Sequence, residues 1–321
     1  MSESSAARVA VVGSLNIDYF ARVETLPTPG VTVTSRSLDR SPGGKGANQA
    51  IAARRQGAEV ALFGTVGADD DGESYRKLLE QEGIAVSHVQ IDSEEPTGSA
   101  FILLDQAGEN MIVTISGANS ALLPPRIQDG ASVLRDSGAI LAQLEVPVSA
   151  VVETARLAND AGIPFLLNPS PIEPDFPWHE VSTDFLIVNE NEATGILEFP
   201  ALEEEPSFVL QRLHELRVES MIVTRGGNET LFFTRGEEPI VIEPLPVLPV
   251  DTVGAGDAFA GCFAARIAEG EAPLEAIRKA NCAGALTTLG AGAQDPIPDR
   301  EKVERHLQHL GPQAGRITTG S

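Results

Sequence analysis

Apolar residues along this chain fall into two alternating patterns. Short runs of aliphatic and β-branched residues, each closed by glycine or a polar side chain, take turns with longer stretches in which apolar positions recur three and four apart. The first pattern marks strands buried on both faces of a parallel sheet, and the second marks helices lying on that sheet. Residues 8–13, Arg-Val-Ala-Val-Val-Gly, open the series. The runs at 60–64, 86–91, 139–144, 164–167 and 185–188 continue it as strands, and 72–82, 148–159, 273–289 and 299–310 as helices. An α/β fold on a mainly parallel sheet follows.

Two stretches depart from this rhythm. Residues 19–40 alternate weakly and are broken by Pro27, Pro29 and Gly30, as in a small hairpin, while 98–105 and 111–116 pair around a turn-like centre at 106–110. A β-α-β unit separates the two pairs, so they are free to meet as one small sheet outside the main one. This predicts a lid formed by 17–41 and 96–117 on a single domain of 1–321.

Polar residues gather where the strands end. Gln143 and Glu145, Asn168, Asn189 with Glu192, and Thr224 all fall at the same edge, which implies a polar cleft along the C-terminal ends of the strands. Asn16 and Asp18 follow the first strand two residues apart. On extended chain such a pair faces one way and reaches one polyol, although an Asx turn leaving the strand is the alternative reading.

Two glycine-rich segments lead into small-residue helices. Residues 42–50, Pro-Gly-Gly-Lys-Gly-Ala-Asn-Gln-Ala, are one; no Ser or Thr follows the lysine, so this is not a Walker loop. The other is 251–259, Asp-Thr-Val-Gly-Ala-Gly-Asp-Ala-Phe, which precedes an apolar run to Ala268. The free N–H groups and dipole of such a helix start form an anion site. With the Asp257 carboxylate at its mouth, the arrangement suits phosphoryl transfer to a hydroxyl. The competing reading is an N-capping Asp on an ordinary core helix.

Charge narrows the partners. With 46 acidic and 23 basic residues the net charge is −23, which argues against nucleic acid and anionic membrane surfaces. A nucleotide remains compatible, because surface charge is screened over about 8 Å while a helix terminus acts at contact. Two cysteines, Cys262 and Cys282, suit a reducing cytosol, and the five histidines have no zinc-like spacing. The first residues lack the apolar core of a signal peptide, no apolar run reaches about 18 residues, and 312–321 reads as a disordered tail. A cytoplasmic protein is expected.

These residues together resemble the ribokinase and phosphofructokinase B family of sugar kinases. Residues 43–50 are similar to its N-terminal signature and 251–259 to its C-terminal one, in the right order and about 200 residues apart, and the likeness runs from 9 to 309. It implies a three-layer α-β-α fold with a small β-sheet lid that also makes a homodimer contact. It further implies ATP-dependent phosphorylation, with the strongest likeness to the members that act on the 5-hydroxyl of D-ribose. Another sugar, a nucleoside, or a non-catalytic sensor of sugar or nucleotide are the alternatives. By resemblance Asp257 is the general base and Gly254, Ala255 and Gly256 the anion hole. Asn16, Asp18, Gly44, Lys45, Asn48 and Glu145 hold the sugar, while Thr224, Gly226, Gly227, Gly256 and Asn281 meet the nucleotide together with Asn189. Asn189 and Glu192 serve Mg²⁺. Asp251 and the Val253 carbonyl belong to a monovalent cation site, K⁺ in the family, with Thr287, Gly290 and Gly292 as carbonyl donors. Two positions depart from the family: Glu229 stands at the last glycine of the nucleotide loop, and Asp295-Pro296 occupies the place of a Pro-Ser pair. The first places a carboxylate near ATP; the second leaves Asp295 as the substitute for a missing hydroxyl.

Overall fold

In a computed structural model that describes residues 7–106, 109–200 and 202–310, the chain opens with β1 (Arg8–Val12) and crosses into a second sheet through β2 (Asn16–Arg22) and β3 (Leu38–Gly43). It returns by α1 (Lys45–Arg55) to β4 (Glu59–Gly67), α2 (Asp70–Gln81) and β5 (Val89–Asp92). The second sheet then receives β6 (Gly98–Leu104) and β7 (Asn110–Ile115), after which α3 (Pro124–Asp129) and α4 (Ala131–Arg135) lead to β8 (Ala139–Gln143). Regular alternation follows with α5 (Val148–Ala161), β9 (Phe165–Asn168), β10 (Thr183–Asn189), α6 (Glu190–Leu197), α7 (Pro206–Glu215), β11 (Val218–Thr224), β12 (Thr230–Thr234) and β13 (Ile240–Ile242). Three helices, α8 (Ala255–Ala268), α9 (Pro273–Thr287) and α10 (Arg300–Leu310), end the described chain. The tail expected at 312–321 and the turn centre at 107–108 lie outside the described residues.

The main sheet has the order β13-β12-β11-β10-β9-β8-β1-β4-β5 and is parallel except for β12 and β13. Successive side chains of β1 point to opposite faces. Val9 and Val11 pack with α1, α2, α8, α9 and α10, and Ala10 and Val12 pack with α3 to α7. Three layers result. From β1 the chain first builds outward through β4 and β5, then through β8 to β13 on the other side, so β1 marks the point where the order reverses and a cleft opens at the strand tips. The polar tips read from the sequence are neighbours in register: Gln143 lies opposite Asn168, and Asn189 opposite Thr224.

The two segments outside the rhythm form one four-stranded sheet, β3-β2-β6-β7. Its central pair, β2 and β6, is parallel and its outer pairs are antiparallel. β5 starts at Val89 instead of 86, and α8 starts at Ala255, three residues ahead of the apolar run. Gly254 explains the second difference. Its φ of 77° is left-handed, and a Cβ there would lie 2.4 Å from the Ala293 carbonyl oxygen, so a glycine starts the helix and Asp257 falls in its first turn. Among the described residues no helix is long and apolar enough to cross a membrane.

Candidate active site

Leaving β1, the chain passes from the main sheet into β2 through Ser14 and Leu15. Asn119 secures this crossing. Its Oδ1 accepts the Leu15 N–H at 2.9 Å, and its Nδ2 donates to the Leu15 carbonyl at 3.1 Å and to Asn16 Oδ1 at 2.8 Å. Asn16 thus has its acceptor end engaged and its Nδ2 donors left for a ligand. Asp18, two residues on and only 8% exposed, has a buried Oδ1 with no hydrogen-bond partner. Burial, followed by the nearby carboxylates of Glu145 and Asp257, pushes its pKa up to about 7 against the opposing pull of Lys45.

Glu145 is held by the Ser14 hydroxyl and by the Lys45 backbone N–H at 3.1 Å. Burial disfavours the Lys45 ammonium, but the carboxylates of Asp257, Glu145, Glu192 and Asp18 outweigh it and raise its pKa. A half-buried lysine therefore sits among four acids.

Asp257 is the third residue of α8 and 8% exposed. Its carboxylate accepts Asn48 Nδ2 at 2.9 Å and Gln49 Nε2 at 3.0 Å, one donor on each oxygen, both from α1. Close helix packing makes this reach possible: a Cβ on Gly261 of α8 would lie 2.3 Å from the Gln49 carbonyl oxygen and 2.6 Å from Ala52 Cβ. An N-capping role is thereby excluded, because the side chain turns away from its own helix. At the helix start Thr252 accepts the Ala255 N–H and Gly254 the Ala258 N–H, which leaves the N–H groups of Gly256 and Asp257 as open donors facing free space beside Gly256.

Two clefts meet at this helix end. The larger, about 620 Å³, lies between the inner face of the small sheet and the strand tips; Asn16, Asp18, Gly44, Lys45, Asn48, Glu145, Gly254 and Asp257 line it. The second, about 300 Å³, is lined by Thr224, Gly226, Gly227, Asn281, Ala255 and Gly256 with apolar walls that include Phe259 and Leu245. Pro249 and Thr252 border both. The Asn281 side chain accepts from Thr230 Oγ1 at 2.8 Å, and its Nδ2 is buried without a partner, a donor ready for a ligand in the second cleft.

Glu229 does not point at that cleft. Its carboxylate lies 3.5 Å from the Arg225 guanidinium, which also pairs with Glu203 at 2.8 Å and takes the Glu229 carbonyl at 2.8 Å. The charge that departs from the family pattern is paired beside the loop that carries it with a guanidinium that Glu203 and Glu190 share.

The remaining expected residues lie outside the two clefts, apart from Asp251 and Val253, which line the larger one. Asn189 and Glu192 form a reciprocal cap on α6, at 2.8 and 2.9 Å, with Glu192 close enough to act on Lys45. Among the described residues no group of three or more His, Cys, Asp or Glu is placed to hold a metal ion. One carboxylate and one amide nevertheless fit Mg²⁺, which keeps several waters and is carried mainly by substrate phosphates. The Asp251 carboxylate ties two loops together, accepting the Val253 N–H at 3.1 Å and the Gly292 N–H at 2.9 Å. Thr287 is fully buried with its hydroxyl on the Ala283 carbonyl, and its own carbonyl accepts the Gly290 N–H at 3.3 Å. A carboxylate with neighbouring carbonyls is suitable chemistry for a hard monovalent cation. Pro296 packs on Gly290, where a Cβ would lie 2.7 Å from the Pro296 Cβ, and Asp295 is exposed.

Sequence reasoning missed Gln49, Asn119, Ser14 and Gln294 as members of this site. Each works through a partner more than 30 residues away, and no local pattern distinguishes them from solvated polar residues.

The family model of the pfkB family carbohydrate kinases matches residues 6–300. A ribokinase of Haemophilus influenzae is 34% identical over 302 residues, covering 94% of this chain and 98% of that protein. A bifunctional ribokinase/ribose-5-phosphate isomerase A of Fructilactobacillus sanfranciscensis is 35% identical over 303 residues; the match covers 92% of this chain but spans only 55% of that longer protein. Among solved structures, Arabidopsis thaliana ribokinase complexed with ribose and ATP superimposes with a TM-score of 0.86 at 32% identity, covering 94% of this chain and 98% of that one.

Proposed function

The chain belongs to the pfkB family of carbohydrate kinases, and on that premise we propose that it phosphorylates D-ribose at the 5-hydroxyl with ATP. One observation carries this reading: an acidic, hydroxyl-binding cleft and a neutral cleft with free amide donors touch at a helix end where a carboxylate stands beside open N–H groups. The sugar lies against Asn16, Asp18, Gly44, Lys45, Asn48 and Glu145, whose amides and carboxylates pair with adjacent hydroxyls. Asp257 accepts the proton of the primary hydroxyl as that oxygen attacks the γ-phosphoryl group. The open N–H groups of Gly256 and Asp257 meet the charge that develops, on a turn built by Gly254 and by Ala255, whose own N–H is held by the Thr252 carbonyl. Thr224, Gly226, Gly227 and Asn281 receive the nucleotide.

Asn189 and Glu192 would hold Mg²⁺ on the nucleotide phosphates, where the ion supplies charge neutralisation. Asp251, Val253, Thr287, Gly290 and Gly292 would hold a monovalent cation that stiffens the loops beside the anion hole. The small sheet serves as a lid over the acceptor cleft of a single domain. Its outer strand supplies the contact with a second copy of the chain, since Met111, Ile112, Val113 and Ile115 are all exposed on β7.

The decisive experiment is ribose-dependent ADP release by wild-type protein and by Asp257→Asn. Turnover is expected to fall about 10²- to 10⁴-fold with the fold intact, as loss of a general base requires. Near-wild-type turnover of the variant would end the proposal, and absence of ADP release from the wild type with ribose, other sugars and nucleosides alike would leave a sensor in its place.

A second reading, a larger acceptor such as a nucleoside, draws on a side chamber of about 450 Å³ that shares Asn16, Lys45 and Glu145 with the acceptor cleft and extends to Ser116, Asn119 and Ser170. Faster phosphorylation of adenosine than of ribose would favour it.

A further inference from the structure

Asp257 is aimed by two amides, and an amide is a reversible object. Rotating an Asn or Gln side chain by half a turn exchanges donor for acceptor at almost no cost in shape. If Asn48 or Gln49 were turned, a carbonyl oxygen would face the carboxylate and repel it. The direction of each must therefore be fixed from outside.

On the Asn48 side the direction begins at the Gly43 carbonyl, which only accepts. Tyr75 has one hydroxyl hydrogen and gives it to Gly43, so its oxygen is free only to accept from the next residue, Gln294, at 2.8 Å. Gln294 must therefore present nitrogen. The second hydrogen of that nitrogen goes to Asn48 Oδ1, also at 2.8 Å, and Asn48 is left with its own nitrogen toward Asp257. On the Gln49 side the Ile187 carbonyl accepts Asn168 Nδ2 at 2.9 Å, which turns Asn168 Oδ1 to Gln49 Nε2 at 3.0 Å. Gln143 donates to Gln49 Oε1 at 2.5 Å and closes the remaining end. Tyr75, Gln294, Asn48, Gln49 and Gln143 are all buried, so water cannot substitute for a missing link.

We propose that Gln294 and Asn168, neither of which lines the acceptor cleft, are positioning residues that set the hydrogen-bond direction of Asn48 and Gln49 and so hold the Asp257 carboxylate for proton transfer. Gln294 also ties the loop around Gly292, which is bonded to Asp251, to the catalytic carboxylate. Movement of that loop reaches the base by a chain of two hydrogen bonds. The inference rests on the kinase reading above.

The test uses Gln294→Glu, which keeps the shape and replaces a donor by an acceptor. The turnover number is expected to fall about 10- to 100-fold, with a smaller rise in KM for ribose because Asn48 also meets the sugar, the pattern of a misplaced group. Tyr75→Phe removes only the lock on Gln294 and costs a few-fold. In an Asp257→Asn background Gln294→Glu has no further effect, because the group it positions is already lost. An equal loss in both backgrounds, or wild-type turnover of Gln294→Glu, overturns the proposal. Should Gln294→Glu not fold, Gln294→Met, which neither donates nor accepts strongly, carries the same expectations. The Asn48 side-chain amide resonance, assigned by its loss in Asn48→Asp, reports the reversal without turnover. It moves in Gln294→Glu if the relay is as described and stays in place if it is not. A wild-type protein that phosphorylates no alcohol defeats the kinase reading alone, and the resonance then decides the relay separately.

Discussion

Asp18 offers the sharpest physical test, because the structure buries its carboxyl beside two other acids without giving Oδ1 a partner. Burial first, and the charges of Glu145 and Asp257 after it, raise its pKa from the ordinary 3.8 to about 7, with Lys45 holding it back. The native state then binds this proton more tightly than the unfolded chain does. Its contribution to stability is complete below pH 3.8 and is lost as pH climbs through about 7. At about 1.4 kcal/mol per tenfold change in proton affinity, the loss across that window is about 4 kcal/mol. Asp18→Asn removes the titration and keeps the shape. Urea unfolding of both proteins from pH 4 to pH 8, without sugar, should therefore show a difference that grows by about 4 kcal/mol in favour of the variant as pH rises. A buried Asn adds a constant offset, so the slope and not the offset is diagnostic. A difference that stays flat across the window would refute the placement of Asp18 among Glu145, Asp257 and Lys45. Added ribose should shrink the difference at pH 8, because its hydroxyls supply the donors that the ionised carboxylate lacks.

Gly261→Val places side-chain atoms where a Cβ alone would lie 2.3 Å from the Gln49 carbonyl oxygen, and backbone cannot retreat as a side chain can. The variant should lose about 1–3 kcal/mol of stability by denaturant unfolding and lose turnover as α1 moves away from Asp257; wild-type stability would contradict the packing. On the small sheet, Ile112 and Val113 are 54% and 59% exposed on successive residues of the edge strand β7. Wild-type protein should sediment as a dimer and the Ile112→Lys/Val113→Lys variant as a monomer, and a monomeric wild type would remove this contact.

Alternation of strands and helices was legible because parallel strands buried on both faces leave unbroken apolar runs, as in β1 and β8. The region from α6 to β11 was read less completely, and the backbone shows why. Glu198 ends α6 at φ 54° and Arg217 precedes β11 at φ 57°, left-handed positions where glycine is the usual signal. Without that punctuation, α7 and the start of β11 run together with no marked break between them. At the site, Asn16 and Asp18 were legible as a pair on extended chain, and Asp257 from its glycine-rich approach. Asn48 was legible as a polar residue at a helix start but not as the support of Asp257, since both of its ends are engaged by residues more than 200 positions away. Gln49 and Gln294 carry no local mark at all; only the fold turns them inward.

The excess of acid over base does not conflict with a polyanionic substrate, because the charge is divided between the two clefts. Asp18, Glu145, Asp251 and Asp257 line the acceptor side, where Lys45 and Arg22 offset them in part and where neutral hydroxyls are the suitable guests. Among the described residues none that lines the second cleft is charged; glycines, threonines, asparagines and apolar side chains make its walls, and Glu229 is turned to Arg225. A triphosphate entering the acceptor side would meet the carboxylates of Asp18, Glu145, Asp251 and Asp257, whereas on the other side the described lining presents none and the path leads toward the open N–H groups of α8. Charge thus turns the triphosphate away from the acceptor cleft, and the two clefts come together at the start of α8. In the proposed reaction the carboxylate of Asp257 would face the alcohol there, and the helix end the phosphoryl group.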